Sequence, residues 1–269
     1  MKKKISTYNE RAKLKFKIRD VINPCLNGLE SFLKDARKKI PGSFPTIIDS
    51  LNNFYGNIKN YNVSINSEHE ILNHYPKILK GSLNHALSLV NYTKYDPDSI
   101  DEEIDIDAYD LIRTFTQFEY FFMNSLLKVM SREEAIEYVK NMANEIAQSR
   151  RDPDRYVNSF KELIDRFTTN LERWGAQDIV YDIVNEGKML YKVKKCRWAE
   201  VLKDFDLELC YAMNCYSDFE NAKNQNPNFI LTRTKTILMG DDYCDFCYHD
   251  SRKDRDITHP SEMEFKKLG

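Results

Sequence analysis

At Asp178 the hydrophobic period of this chain changes, and that change limits the folds open to it. Upstream, apolar residues return at steps of three and four: Ile18, Val21 and Ile22, then Leu26, Leu29, Phe32 and Leu33. Such spacing lines one face of a helix. Downstream, Met189, Tyr191 and Val193 alternate with Lys188, Lys192 and Lys194, the pattern of a half-buried strand. Helices first and strands afterwards predict an α+β fold, with an N-terminal all-helical region packed on a small C-terminal antiparallel sheet with short helices. The predicted division is 1–177 helical, 178–250 cysteine-bearing α+β, and 251–269 a charged tail.

The helical part reads from Tyr8 to Lys38, with Asn23-Pro24 expected to kink or divide it, since proline lacks the N–H a helix interior uses. Ile47, Ile48, Leu51 and Phe54 mark the next helix, and 67–92 a third, entered through a Ser67-to-Glu70 capping pattern. Aromatics crowd 108–130, where helical spacing favours core over a ligand wall. Ser131 to Glu134 caps a helix to Gln148, and Asp152-Pro153 opens one that ends at Trp174-Gly175. The acids from Asp96 to Asp110 lack the glycine of a calcium loop and are expected to be a solvated connection. After Asp178, a three-residue Asn185-Glu186-Gly187 turn should join two strands. Short helices then follow from Arg197 and Leu207. A second hairpin is expected to run through Leu231–Met239, turn at Gly240, and return through Tyr243–His249. The tail, with Pro260, reads as a poorly ordered or wrapping extension.

Lys and Arg total 40 against 42 Asp and Glu, a net charge of -2 with no basic excess, so no nucleic-acid partner is expected. No apolar run reaches the roughly 18 residues of a membrane span. No h-region follows Lys2-Lys3-Lys4, so the expected compartment is cytoplasmic, with thiols rather than disulfides. Phosphate-cradling and serine-elbow motifs are absent, and His69, His74 and His85 do not have ligand-pair spacing.

Of six cysteines, Cys25 stands alone and five fall between 196 and 247. Strand parity puts Cys244 with Phe246 and Tyr248, and Asp245 with Cys247 and His249. Zinc on Cys244-x-x-Cys247 conflicts with that parity, and neither a metal nor a cofactor is expected. A nucleophilic cysteine needs a base or cation beside it, which for Cys244 must come from 215–218 or from Arg233 or Lys235. A buried inert thiol is the bland alternative for each.

Cys196-Arg197-Trp198, Cys215-Tyr216-Ser217-Asp218, Leu231 to Thr236, and Gly240-Asp241-Asp242-Tyr243-Cys244-Asp245-Phe246 together resemble the L-2-amino-thiazoline-4-carboxylic acid hydrolase family over 178–249. Cys210, Cys247 and His249 stand outside that pattern. The resemblance implies a hydrolase that opens a cyclic C=N or related C–N bond of a small carboxylated substrate. On it, Cys244 is the expected nucleophile, Asp218 the acid/base, and Cys215 a further member of the catalytic group. Cys196, Arg233, Asp245 and His249 are expected to bind substrate, with Arg233 holding its carboxylate. An oligomer is compatible with this reading. The rival is a non-catalytic sensor of the 4-vinyl reductase type, with structural zinc.

Overall fold

The computed structural model describes residues 2–6, 8, 13–58, 68–92 and 100–269. They form two compact units, residues 13–137 and residues 1–12 with 138–269. The predicted Ser67 cap and the acids at 96–98 lie outside the described residues.

Strand β1 (Lys2–Ser6) opens the chain. In the first unit, β2 (Lys13–Lys17) leads into α1 (Ile18–Lys39), α2 (Phe44–Gly56) and α3 (Pro76–Leu89); β3 (Glu103–Asp107) then leads into α4 (Ala108–Leu126). The helix expected from Tyr8 begins at Ile18, and it runs unbroken past Pro24. The acids at 103–107 form a strand rather than a loop, because β2 pairs with them antiparallel: Lys13 opposite Asp107, Lys15 opposite Asp105, Lys17 opposite Glu103. Opposite charges across a ladder add roughly 0.2–1 kcal/mol each. Asp107 also caps α4, accepting the Tyr109 N–H at 2.8 Å. The core of this unit is the apolar stripe foreseen for α1, with Ile18, Val21, Leu29 and Leu33 fully buried against α3 and α4.

α5 (Arg132–Ser149) starts with the expected box: Ser131 Oγ accepts the Glu134 N–H, and the Glu134 carboxylate accepts the Ser131 N–H. α6 (Phe160–Trp174) precedes the sheet strands β4 (Gln177–Asn185) and β5 (Lys188–Cys196). Then come α7 (Arg197–Leu202), α8 (Leu207–Cys210), a π-turn over Tyr211–Cys215, and α9 (Asp218–Gln225). β6 (Phe229–Thr232), β7 (Cys244–Asp250) and α10 (Glu262–Lys266) complete the chain. The sheet is antiparallel in the order β1-β4-β5-β7-β6. No helix among the described residues is long and apolar enough to cross a membrane.

One face of the sheet packs on α6 and its approach: Phe160, Leu163 and Ile164 meet Ile179, Tyr181, Met189, Tyr191, Phe246 and Tyr248. The other face is closed by the tail, where Phe265 and Leu268 join Val180, Leu190, Tyr243 and Cys247. Of the two expectations for this tail, wrapping is the one observed. Lys192 fastens it, its ammonium donating to the carbonyls of Phe265 and Gly269 at 3.2 and 3.0 Å.

The β4–β5 hairpin turns on two residues, not three, with Asn185 paired to Lys188. Gly187 is required there by crowding and not by a left-handed backbone: a Cβ would lie 2.9 Å from the Asp254 nitrogen and 2.7 Å from its Cβ. Gly187→Ala is therefore expected to push the tail off this turn and cost roughly 1–3 kcal/mol. A thermal melt unchanged from wild type would refute that account.

Candidate active site

β7 sits between β5 and β6 and is buried on both faces, so its alternation sorts reactive side chains by side. Cys244, Phe246 and Tyr248 face α6, while Cys247 faces the tail, as parity requires.

The expected strand from Leu231 to Met239 ends at Thr232. Asp245 explains why. Its carboxylate accepts the N–H groups of Thr234 (2.8 Å) and Lys235 (2.6 Å) and the Thr234 hydroxyl, taking the donors that a continued strand would offer its neighbour. His259 of the tail adds a fourth hydrogen bond at 3.0 Å. Residues 233–236 are thereby bent into an arch, followed by a 3-10 turn at Ile237–Met239 and by Gly240 at φ +98°, a left-handed conformation that suits glycine.

That arch supplies one wall of a cavity of about 410 Å³, within the range of small-molecule sites. Five of the seven residues singled out in the sequence converge on it: Cys196, Cys215, Asp218, Arg233 and Cys244. Asp245 and His249 do not line it. Asp245 holds the arch, and His249, fully buried, shares the Thr232 hydroxyl with His259 at 3.2 and 2.9 Å. Gln177, Asn214, Asn221, Thr236 and Arg150 complete the polar lining. Of these five, Thr236 alone falls in a stretch singled out in the sequence, at the end of Leu231 to Thr236. Neighbouring side chains lead from this cavity into a smaller recess of about 190 Å³, which shares Gln177, Val193, Asp218 and Phe246 with it and adds Phe167, Tyr191 and Tyr248.

The Arg233 guanidinium is enclosed, its side chain 2% exposed, with ring centroids of Phe246, Phe219 and Tyr211 at 5.0, 5.2 and 5.4 Å. It donates to Asp218 Oδ2 at 2.8 Å, to the Cys215 carbonyl at 2.9 Å and to the Tyr211 hydroxyl at 3.2 Å. The π-turn at 211–215 presents that carbonyl, consistent with the placement of such turns at functional sites. Burial opposes the Arg233 charge, but Asp218, Cys215 and Tyr211 outweigh it and hold the group protonated above its ordinary range. These partners occupy the fork that the sequence reading reserved for a substrate carboxylate.

Asp218 is the first residue of α9, and its side chain keeps a third of its surface open. Burial pushes its carboxyl up to about 6, with Arg233 pulling the other way. Every cavity thiol is also pushed up. Burial takes Cys244 to about 12, against a small opposing pull from the Ile237 N–H, 3.3 Å from Sγ. Burial likewise raises Cys196, which N–H groups of Ala199 and Trp198 and the Gln177 amide partly offset. For Cys215, burial and then the Asp218 charge raise it further. The resting site thus holds neutral thiols beside a carboxyl that titrates near neutrality. No histidine is among its described lining residues.

Cys25 is a buried core thiol of α1, as expected for an isolated cysteine. Among the described residues no three His, Cys, Asp or Glu side chains converge as a metal-ligand set.

Comparison with curated proteins and with solved structures returned no match. The model of the family described as L-2-amino-thiazoline-4-carboxylic acid hydrolase matches residues 112–248, just over half of the 269, including Cys196, Cys215, Asp218, Arg233 and Cys244. On that coverage the chain belongs to the L-2-amino-thiazoline-4-carboxylic acid hydrolase family.

Proposed function

We propose that this protein opens a small cyclic amidine by hydrolysis, with Cys244 as nucleophile and Asp218 as the group that takes and returns the proton. The observation that carries this reading is the convergence of three thiols and the Asp218–Arg233 pair on one cavity of substrate size. Arg233 acts through Asp218 in this scheme, holding the carboxylate in place from a cage it cannot easily leave.

The thiol proton passes to Asp218, and the sulfur adds to the amidine carbon. The C=N electron pair of the bound amidinium moves onto its nitrogen, which already carries its proton, so the one held by Asp218 is kept for the leaving atom. Collapse of the tetrahedral carbon breaks the ring, and the leaving atom takes its proton from Asp218. Water then releases the thiol with Asp218 again as base. Transferring a proton from a group at about 12 to one at about 6 costs ~8 kcal/mol at roughly 1.4 kcal/mol per unit. That is too much to sit unrelieved in the resting state, and too little to forbid turnover: a median kcat of ~10 s⁻¹ corresponds to a barrier of about 16 kcal/mol. A bound amidinium about 4 Å from the sulfur would offset ~4 kcal/mol of it. The substrate itself then brings the positive charge that a histidine supplies in other cysteine enzymes.

Incubation with 2-aminothiazoline-4-carboxylate, followed by loss of the ring chromophore, tests the reaction directly. Because Asp218 must be ionised to accept the proton, kcat/KM is expected to rise with pH through about 6. Asp218→Asn should lower it by about 10²- to 10⁴-fold and remove that limb. An unaltered acid limb in this variant would assign the titration to another group.

A further inference from the structure

A carboxylated substrate needs a cation, and Arg233 has its donors filled by Asp218, Tyr211 and the Cys215 carbonyl. Among the described residues that line the cavity, the other positive side chain is Arg150, just beyond the C-terminal end of α5. Its neighbour Arg151 is engaged, donating to Glu220 at 2.5 Å and to Asn224 at 3.2 Å. The Arg150 guanidinium has no acid and no hydrogen-bond acceptor among the described residues; its backbone N–H alone is used, donating to the Ala147 carbonyl. Arg150 is exposed, whereas Arg233 is enclosed, so the two cations stand at the open and closed sides of the lining.

The charges set the polarity of the cavity. Asp218 and Arg233 neutralise one another, which leaves Arg150 as a net positive charge on a described lining otherwise made of uncharged groups: amides, a hydroxyl, thiols and apolar side chains. Asn214 and Asn221 add neutral hydrogen-bonding groups to the same lining. We infer that Arg150 is the specificity residue for the substrate's anionic group: it binds a carboxylate at the mouth, and the ligand's cationic, amidine-bearing end is directed inward to Asp218 and Cys244. This rests on the ring-opening reading for the identity of the inner end; the anion site at Arg150 stands on the unfilled guanidinium.

Calorimetric titration separates the two. The probes are 2-aminothiazoline-4-carboxylate and 2-aminothiazoline, which lacks the carboxylate, added to wild type, Arg150→Gln and Arg150→Lys. Wild type is expected to bind the carboxylated ring about tenfold or more tightly than the plain ring, the worth of a charge-assisted hydrogen-bonded pair at roughly 1.4 kcal/mol per decade. In Arg150→Gln that ratio should fall toward one, and in Arg150→Lys it should be partly restored, since lysine keeps the charge and loses the planar fork. A ratio unchanged by Arg150→Gln, or a wild type that binds neither probe, overturns the inference. Turnover is followed on the same samples. Arg150-dependent binding without ring opening removes the hydrolase reading and leaves the anion site standing; ring opening with Arg150-independent binding does the reverse.

Discussion

Cys244→Ala is expected to abolish ring opening while leaving the protein folded, a loss of at least about a thousandfold in kcat, as for removal of the nucleophile in other covalent catalysts. The fold should survive because Cys244 contributes one small side chain to a face already filled by Tyr191, Phe246 and Tyr248. The informative control is its two neighbours. Cys196 ends β5 and accepts from the Gln177 amide at 3.8 Å, while Cys215 ends the π-turn beside Asp218. As wall residues that take no part in bond making, each replaced by alanine should cost less than about tenfold in kcat, or roughly 1.4 kcal/mol of barrier. Steady-state kinetics on the three single variants decide the matter. Equal losses for all three would leave no privileged sulfur, and turnover by Cys244→Ala at the wild-type rate would end the covalent reading.

The largest effect on stability is expected from Asp245→Ala. One carboxylate, 3% exposed, accepts from two backbone N–H groups, a threonine hydroxyl and an imidazole. Alanine leaves all four donors to find other partners. With unsatisfied buried donors at roughly 1–3 kcal/mol each, and some of these able to reach water, the net cost should be about 3 kcal/mol. Because the arch also carries Arg233 and Thr236 and leads into the Ile237 N–H that meets Cys244, kcat should fall together with the urea midpoint. The acid limb gives a second handle. Burial alone would raise the Asp245 carboxyl, but hydrogen bonds from His259, Thr234 and the Lys235 and Thr234 N–H groups outweigh it and hold it below its ordinary value. A lowered folded-state pKa contributes stability above the unfolded value of 3.8, and this is lost as pH falls through the folded one. The gap between wild type and Asp245→Ala should accordingly narrow below about pH 4. A gap that stays constant down to pH 2 would mean that the carboxylate's charge contributes nothing to holding the arch.

The parity of β7 was legible because period-two alternation needs no knowledge of the partners, and Cys244 and Cys247 fall on opposite faces as read. The arch was not. Leu231 to Met239 has the composition of a strand, and what bends it is a side chain ten or more positions away competing for its N–H groups. Arg233 illustrates the same limit. Its proximity to the site could be foreseen, but whether its fork is empty depends on Tyr211, Cys215 and Asp218 arriving from another segment. β1 was missed because Lys2-Lys3-Lys4-Ile5-Ser6 has no apolar alternation; it forms one edge of the sheet by pairing with β4. His259 stands in the charged tail with no motif about it, and its tie to Asp245 exists only once the tail is folded back. Arg150 stood in a helix end indistinguishable from any solvated one.

Because consecutive positions of β7 serve opposite sides of the sheet, this strand cannot absorb a change of length. Deleting one residue between Cys244 and His249 would exchange the roles of everything on one side of the gap, carrying a carboxylate or imidazole into the apolar layer under α6 and a tyrosine toward the tail. A missing residue at Asp241 or Asp242, by contrast, falls in the connection and leaves the phase of the strand intact. Scanning single-codon deletions across 238–250 should therefore give a sharp edge at Cys244, with soluble protein recovered on one side of it and none on the other.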